Sequence, residues 1–259
     1  MNLMKRKLRR LFLIIKKIYY SSLKIKIVKG YYQIKLYSNW GDSTFNSYFF
    51  GFYEDEIKNF INQIKKPFVF FDIGANQGLY TILALQNKKC LNVFSFEPVK
   101  KTFFLLEKNI KANFSNQFMI NKSNLLNYAI SDSISKKLIF IPKYSSGKAS
   151  LNTSREIQSS YKEIIDTVNF DWMNENIKIE ENCDVFLKID VEGHEEIVIK
   201  ELLKTKFHKS IKYIIFEKHD DWKFIPYSGI ENFLIQKGYD IERLQKNKNK
   251  KYDLMAIKK

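Results

Sequence analysis

The sequence predicts a doubly wound α/β fold built on a mostly parallel sheet, and three observations support this prediction. The chain has 259 residues, of which 45% are apolar, so it is long enough to bury one large core. From residue 68 onward, short continuous apolar runs alternate with segments whose apolar residues recur at helical spacing. Such runs are typical of parallel strands covered on both faces, and strand–helix alternation produces right-handed crossovers.

The elements before the first core strand are predicted from local patterns. Residues 8–20 form an apolar segment framed by basic clusters and predict a helix, whereas residues 31–37 predict a strand. The apolar residues of 54–65 recur at helical spacing and predict a second helix. We therefore divide the chain into a basic N-terminal helix and strand extension, residues 1–52, and a main domain, residues 53–259.

The main domain is predicted to hold five core strands joined by helices and loops. These strands are residues 68–72, 93–97, 125–131, 184–190 and 213–217. The helices between and after them are predicted at residues 79–88, 99–112 and 228–237. Outside the core, the sequence predicts a side strand at residues 136–142 and a long polar loop at residues 143–160. It also predicts a closing hairpin formed by residues 238–244 and 252–258.

The positive charge of the chain lies at its two ends. The formal net charge is +16, yet residues 1–29 hold ten basic residues and no acid, and residues 30–245 hold 28 basic and 27 acidic residues. A nucleic-acid-binding domain is expected to carry its charge on its body, so the sequence predicts no nucleic-acid partner. The two cysteines, Cys90 and Cys183, form no disulfide framework or CxxC motif and favour a cytoplasmic protein.

The basic N-terminal segment has two interpretations. Its uninterrupted apolar run, Leu11 to Ile15, is too short to span a bilayer, and no small-residue cleavage site follows it. A basic amphipathic helix can lie on the anionic inner face of a membrane, or it can dock on the protein with a solvated basic face. The sequence leaves both interpretations open, and it leaves the oligomeric state open as well.

The strongest motif is FDIGANQG, residues 71–78, in which a buried strand ends at Asp72 and enters a loop with Gly74 and Gly78. Ligands of open α/β sheets bind at the carboxyl ends of the strands, so this loop lies where a cofactor binds. Gly74 permits a tight turn, and Gly78 lets the next helix pack on the strand. Asn76 replaces the third glycine of a dinucleotide fingerprint, which favours a cofactor without phosphates.

Acidic residues at the ends of later strands extend the predicted site. Glu97 ends the second core strand 19 residues after Gly78, the spacing at which a carboxylate reaches ribose hydroxyls. Asp190 ends the fourth strand within LKIDVEGHEE, where it can steady a cationic cofactor or orient a substrate hydroxyl. Glu195 and Glu196 follow in the same motif and have a simpler interpretation as acids at a helix N-terminus.

The fifth core strand brings a histidine to the same edge of the sheet. His219 and Glu217 lie in IIFEKHD, residues 214–220. Because histidine titrates near neutral pH, His219 is the preferred candidate for the base that removes a hydroxyl proton, with Asp190 as the alternative. No group of residues has convincing metal-ligand spacing, so the sequence predicts no metal.

Five segments occur together in the order and spacing of a known family: DIGANQGLYT, FSFEP, NYAISD, FLKIDVEGHEE and IIFEKHD. Over residues 53–243 the chain resembles the FkbM family of S-adenosylmethionine-dependent methyltransferases. The resemblance implies a class I methyltransferase fold, which is Rossmann-like, with strand order 3-2-1-4-5-7-6 and an antiparallel seventh strand. This sequence has His194 where alanine is commoner in the family motif, so the role of that side chain stays open.

The resemblance also implies roles for individual residues. The implied cofactor-binding residues are Asp72, Gly74, Ala75, Asn76, Gly78, Glu97, Ile130, Asp132 and Asp190. Within this set, Glu97 holds the ribose, and Ile130 and Asp132 border the adenine. Asp190 and Glu192 face the transferred methyl group and the acceptor, and together with His219 they form the predicted catalytic set.

The resemblance therefore implies an S-adenosylmethionine-dependent O-methyltransferase that acts on a hydroxyl of a sugar, a glycan or a related small metabolite. Its predicted pathway is cell-surface polysaccharide biosynthesis. Two alternatives stay open, namely a nucleic-acid methyltransferase on the same fold and a non-catalytic protein at the membrane periphery. The neutral body of the chain argues against the first, and the joint presence of the loop glycines and strand-end acids argues against the second.

Overall fold

The computed structural model describes residues 3–53, 55–114, 117–152, 160–180, 183–219, 229–244 and 251–259. The helices are α1 (Leu3–Ser22), α2 (Ser43–Phe50), α3 (Asp55–Gln63), α4 (Leu79–Gln86), α5 (Lys100–Asn113), α6 (Gln117–Asn121), α7 (Phe170–Asn176), α8 (Glu195–Leu202) and α9 (Ile230–Gln236). The strands are β1 (Ile27–Lys29), β2 (Lys35–Tyr37), β3 (Phe68–Ile73), β4 (Cys90–Phe96), β5 (Ser123–Leu126), β6 (Ala129–Ile130), β7 (Ser135–Pro142), β8 (Ser160–Val168), β9 (Asp184–Ile189), β10 (Ile211–His219), β11 (Tyr239–Arg243) and β12 (Lys251–Lys258).

A seven-stranded sheet forms the centre of the molecule, in the order β5-β4-β3-β9-β10-β12-β11. All neighbouring pairs from β5 to β10 are parallel, whereas β12 is antiparallel to both β10 and β11. The predicted doubly wound α/β class is thus confirmed, and so are the strand order 3-2-1-4-5-7-6 and the closing hairpin.

Strand β3 lies in the middle of this sheet, and all six of its residues are buried. Successive side chains of a strand point to opposite faces. Phe68 and Phe70 accordingly join one hydrophobic cluster, whereas Val69, Phe71 and Ile73 join a second cluster on the other face. Two covered faces explain why the sequence shows a continuous apolar run here rather than alternation.

The N-terminal elements add a layer to one face of the sheet. Leu13 of α1, Val28 of β1 and Phe45 of α2 belong to the same cluster as Phe70. Helix α2 was not predicted from the sequence, and its start is fixed by Asp42, whose side chain accepts a hydrogen bond from the Phe45 backbone N–H. The division between residues 1–52 and 53–259 stays a prediction.

The predicted third core strand, residues 125–131, is instead divided between two sheets. Strand β5 belongs to the central sheet, whereas β6 pairs with β8 in a separate three-stranded sheet ordered β6-β8-β7. Asn127 lies between them and donates from Nδ2 to the backbone carbonyls of Glu97 and Pro98. These bonds tie the chain to the end of β4 and turn it away from the central sheet. Strand β7 confirms the predicted side strand.

Two other local predictions need correction. Only the end of the predicted strand 31–37 is extended, as β2, because Gln33 adopts a left-handed conformation with φ of 61°. The predicted loop 143–160 contains a 3₁₀ turn at Ser146–Lys148, and residues 153–159 lie outside the described part of the chain. Among the described residues, no helix combines the length and the apolar character that crossing a membrane requires.

Candidate functional site

The carboxyl ends of β3, β4 and β9 border a cavity, here called the first cavity. Its lining includes five of the predicted site residues, which are Gly74, Asn76, Glu97, Ile130 and Asp190. Further lining comes from Tyr48, Tyr53, Ile73, Phe96, Pro98, Tyr128, Ala129, Ile139, Ser146, Gly147, Ala149, Leu151, Val191 and His194. The sheet topology thus brings together the first motif, the end of β4 and the fourth-strand motif, as expected for ligands of such sheets.

Gly74 lies where β3 and β9 approach each other at this edge. Its φ is 77°, and a Cβ atom built on it would lie 1.9 Å from the backbone oxygen of Asp190. Both the left-handed conformation and the lack of space exclude a side chain. The Gly74 and Ala75 backbone N–H groups both donate to the carbonyl of Phe96, which fixes the loop against β4.

Glu97 is held rigidly by the loop that carries Asn76. Its Oε2 accepts from the Asn76 backbone N–H at 2.9 Å, and its Oε1 accepts from the Val99 backbone N–H at 2.9 Å. Burial raises the pKa of Glu97 to about 7. Each carboxylate oxygen has a further lone pair, so the side chain can accept two hydroxyl hydrogen bonds from a ligand in the cavity.

Asp72, Ala75 and Gly78 support the loop and are not part of the cavity lining. Asp72 is fully buried and accepts from the backbone N–H and the Oγ1 of Thr81, at 2.8 and 2.6 Å. Burial raises the pKa of this carboxyl. Gly78 precedes α4 with φ of 89°, and a Cβ there would lie 2.5 Å from Leu106 Cδ1. These residues therefore hold the loop and the start of α4 in place without lining the cavity.

Asp132 lies outside the first cavity, whereas His194, whose role the sequence left open, lies in its lining. Asp132 is 61% exposed, pairs with Lys137 at 2.9 Å and is not in the cavity lining, and hydrogen bonds from Lys137 and Ser131 lower its pKa to about 2. His194 lines the first cavity, with its Nε2 3.0 Å from Ser131 Oγ. Burial, assisted by the charge of Lys137, lowers the pKa of His194 to about 4, so the imidazole is neutral at pH 7.

A second cavity adjoins the first one and shares Tyr53, Gly147 and Asp190 with it. Its other lining residues are Ser47, Phe52, Glu56, Ile57, Tyr80, Glu192, Glu217, Tyr252 and Asp253. Carboxylates and aromatic rings therefore predominate in its wall. Asp190 connects the two cavities, and its side chain accepts a hydrogen bond from buried Lys188 at 3.1 Å.

Three carboxylates of the second cavity converge. Asp190, Glu192 and Glu217 each offer an oxygen, and these oxygens lie within 4.8 Å of one another. Oxygen ligands of this kind suit Mg²⁺ or Ca²⁺, so this trio can hold a divalent ion, although sequence spacing indicated no metal. The backbone of His219 lies at the end of β10, paired with Lys251, but its side chain lies outside the described residues.

The loop after β7 also lines the site, and the sequence predicted this segment only as a long polar loop. Ser146 and Gly147 line the first cavity, and their backbone N–H groups donate to Asp42 Oδ2 and Thr44 Oγ1 at 2.7 and 2.9 Å. Ser146 Oγ also lies 3.2 Å from Asn76 Nδ2. The polar, Ser-rich composition of residues 143–160 indicated a loop, but it gave no sign of the partners Asp42 and Thr44, about 100 residues away in sequence.

Comparisons with known proteins give one family match. A family model described as the methyltransferase FkbM domain matches residues 72–241 of this chain. Among curated proteins, none matches it.

Three similar solved structures are all remote in sequence. The methyltransferase FkbM of Methylobacillus flagellatus KT is 13% identical with a TM-score of 0.48, and the similarity covers 82% of this chain and 52% of that protein, about half its length. The precorrin-6y C5,15-methyltransferase of Geobacter metallireducens GS-15 is 13% identical with a TM-score of 0.43, over 78% and 86% of the two chains. TrmK of M. capricolum, solved with S-adenosylhomocysteine, is 14% identical with a TM-score of 0.44, over 80% and 69%.

Proposed function

This chain belongs to the FkbM methyltransferase family, and we propose that it transfers a methyl group from its cofactor, S-adenosylmethionine, to a hydroxyl of a sugar or glycan. The observation that carries the proposal is the shared wall of the two cavities at Asp190. A methyl donor in the first cavity and an acceptor in the second would meet at this residue. The proposed pathway is the synthesis of cell-surface polysaccharide.

The first cavity fits the cofactor. Gly74 has no side chain to obstruct a ligand at the end of β3, and Glu97 offers lone pairs for the two ribose hydroxyls. Tyr128 and Ile130 supply apolar surface for the flat adenine ring. Asp132 is outside the lining, so its predicted contact with the adenine stays a prediction.

The chemistry requires alignment above all. When bound, S-adenosylmethionine supplies a methyl group on a positively charged sulfur, which becomes neutral as the methyl leaves. With that methyl group held in the first cavity, the residues of the second cavity would position the acceptor oxygen against it, and a carboxylate such as Asp190 would take the hydroxyl proton. Correct positioning of such reactants can lower the barrier by about 7–11 kcal/mol.

The second cavity supports a hydroxyl acceptor. Asp190, Glu192 and Glu217 can accept hydrogen bonds from neighbouring hydroxyls, and one of them can take the proton of the reacting oxygen. Tyr53 and Tyr252 offer aromatic surface to the apolar face of a sugar ring. His219, the base that the sequence prefers, stays a prediction.

The carboxylates of this cavity also argue against a nucleic-acid acceptor. Besides the trio, Glu56 and Asp253 line the same wall, so a phosphate backbone would enter a region of negative charge. Proteins that bind nucleic acids surround the phosphates with Lys and Arg instead.

The test is methyl transfer from radiolabelled S-adenosylmethionine to a panel of sugars and glycans. We expect product with a hydroxyl acceptor, and we expect Asp190→Asn to lose most of the turnover while it still binds S-adenosylhomocysteine. The matched control is Asp240→Asn, since Asp240 is exposed, pairs with Lys259 and lines neither cavity.

Three outcomes would contradict the proposal. Transfer to RNA or DNA alone would favour the nucleic-acid alternative. Binding of S-adenosylhomocysteine without transfer to any acceptor class would favour the non-catalytic alternative. Equal activity of Asp190→Asn and the unsubstituted protein would remove Asp190 from the mechanism.

A further inference from the structure

Helix α1 presents an apolar face to solvent. Among its apolar side chains described by the structure, Leu13 is buried, but seven others are 47–65% exposed. These seven are Leu8, Leu11, Phe12, Ile14, Ile15, Ile18 and Tyr19. An ordinary surface helix turns such a face toward the core. In α1, this face instead points toward solvent.

The exposed side chains form a continuous stripe along the helix. Residues 8, 11, 12, 15, 18 and 19 are three or four positions apart, which places them on one face. The stripe extends for about 16 Å, from the helical rise of 1.5 Å per residue. Beyond the helix, exposed Leu23 and Ile27 continue the apolar surface. Large exposed apolar surfaces of this kind mark interaction sites.

The opposite face of α1 is fastened to the body through basic residues. Arg9 donates to the Tyr31 carbonyl at 2.6 Å, and its guanidinium lies 4.0 Å from the centre of the Tyr31 ring. Lys16 donates to the Lys29 carbonyl at 2.8 Å, and Lys17 donates to Asn46 Oδ1 at 3.2 Å. The helix therefore docks with Arg9, Lys16 and Lys17 toward the body, which argues against a docking helix whose basic face is solvated.

The charge around the stripe identifies its occupant. Residues 1–29 carry ten basic residues and no acid, and the first acid of the chain is Asp42. Lys24, Lys26 and Lys29 are exposed close to the end of the stripe. A second copy packed symmetrically on this surface would bring these cations against each other. Anionic lipid headgroups would neutralise them, and the stripe would enter the acyl boundary.

We propose that α1 and the segment up to Lys29 lie in the interface of an anionic lipid bilayer, with the exposed stripe facing the acyl chains. This inference is independent of the proposed acceptor and needs no catalytic step. It places the chain at the surface of a membrane, and none of the helices in the described segments is long and apolar enough to cross it.

Vesicle flotation with the full chain tests the proposal. We expect the protein to float with vesicles of phosphatidylcholine and phosphatidylglycerol in equal amounts, to remain unbound with phosphatidylcholine alone, and to be released by added salt. Ile15→Glu together with Ile18→Glu should weaken binding by about tenfold or more, because two side chains no longer enter the apolar layer.

The matched control changes two equally exposed isoleucines elsewhere. Ile134, just before β7, and Ile164, on β8, are 63% and 62% exposed, so Ile134→Glu with Ile164→Glu adds the same charge outside the stripe. Binding should be unchanged by this pair. Lys24→Glu with Lys26→Glu tests the contribution of positive charge separately and should also weaken binding. This test does not depend on whether Ile15→Glu with Ile18→Glu folds correctly.

Several results would overturn the proposal. Equal flotation with both kinds of vesicle, or flotation with neither, would remove the anionic bilayer as the occupant. Equal loss in the Ile134/Ile164 pair would show an effect of charge alone. A dimer in light scattering that Ile15→Glu with Ile18→Glu dissociates, without any lipid binding, would assign the stripe to a second copy.

Discussion

Strand β3 and helix α1 differ in the burial of their apolar side chains. Every residue of β3 is buried, because helices and the N-terminal layer cover both faces of the sheet. In α1, Leu13 is buried and Tyr20 packs partly against the core, whereas seven other described apolar side chains are exposed. Apolar residues in β3 thus serve folding, since they stabilise the native chain itself. Most apolar residues of α1 stay accessible to solvent in the folded chain, so they add little to its stability and are open to a binding partner.

The sharpest test of this contrast replaces one phenylalanine in each region. Phe71 is fully buried and stacks on Phe94, Phe96 and Phe207, whereas Phe12 is 59% exposed. We expect Phe71→Ala to lower the free energy of unfolding by about 3–5 kcal/mol, because it leaves a cavity. Phe12→Ala should change it by no more than about 0.5 kcal/mol. Denaturant titration measures both, and equal losses would refute the contrast.

A second test extends the comparison from apolar groups to carboxylates. Burial raises the pKa of Glu97 from 4.5 to about 7, so the folded chain holds a proton there that the unfolded chain releases. The resulting stability is complete below pH 4.5 and is lost as the pH rises through about 7. We expect this group to contribute a decrease of about 3 kcal/mol at most over that range. In Glu97→Gln this decrease should be absent from unfolding free energies measured against pH.

The control for the pH experiment is the exposed Asp132. Its pKa is lowered from 3.8 to about 2, so the stability it contributes is present above pH 3.8 and is lost as the pH falls toward 2. Asp132→Asn should therefore leave the decrease between pH 4.5 and about 7 intact. If Asp132→Asn removed that decrease, the assignment to Glu97 would be wrong.

The third test concerns backbone that has no room for a side chain. Gly74→Ala places a Cβ against the Asp190 carbonyl in a left-handed conformation, and we expect a loss of about 2 kcal/mol of stability. Binding of S-adenosylhomocysteine, measured by calorimetry, should be lost as well, because the strand ends must move apart. Gly41→Ala is the control, since no atom lies within 4 Å of the added Cβ, and it should keep both properties.

The smallest expected effect is at the surface ion pair of Asp132 with Lys137. Exposed pairs contribute about 0–1 kcal/mol, so Asp132→Ala should change stability very little. Because the side chain is outside the cavity lining, calorimetry should also find its affinity for S-adenosylhomocysteine within about twofold of the unsubstituted protein. A large loss of affinity would support the contact with the adenine that the family resemblance implies.

The sequence predicted the central sheet well because its signals are local. A buried strand such as 68–72 shows its apolar run directly, and the family motifs supplied the order of the strands. The division of 125–131 was missed because it depends on Asn127, which bonds to carbonyls 30 and 29 residues away. No pattern within seven residues contains that information.

The site was predicted in part for the same reason. Gly74 and Glu97 follow from the spacing of a strand, a loop and the next strand, and both line the first cavity. The grouping of Glu217 with Asp190 and Glu192 depends on how β9 and β10 align, which spacing along the chain does not give. Likewise, the periodicity of α1 revealed two faces, but only tertiary contacts such as Arg9 with Tyr31 decide which face is outside.

Asp190 lines both cavities, and its contacts also tie it to the neighbouring strands. Its backbone N–H donates to Ile73, its carbonyl faces Gly74, and its side chain is held by Lys188. Any ligand that shifts this residue from one cavity changes the wall of the other. If a ligand in one cavity shifts Asp190, the free energies of filling the two cavities are coupled, and linkage requires that coupling to be reciprocal. If bound cofactor then changes the affinity for the acceptor by some factor, bound acceptor changes the affinity for the cofactor by the same factor. The two ligands would therefore either both favour a ternary complex or both oppose it.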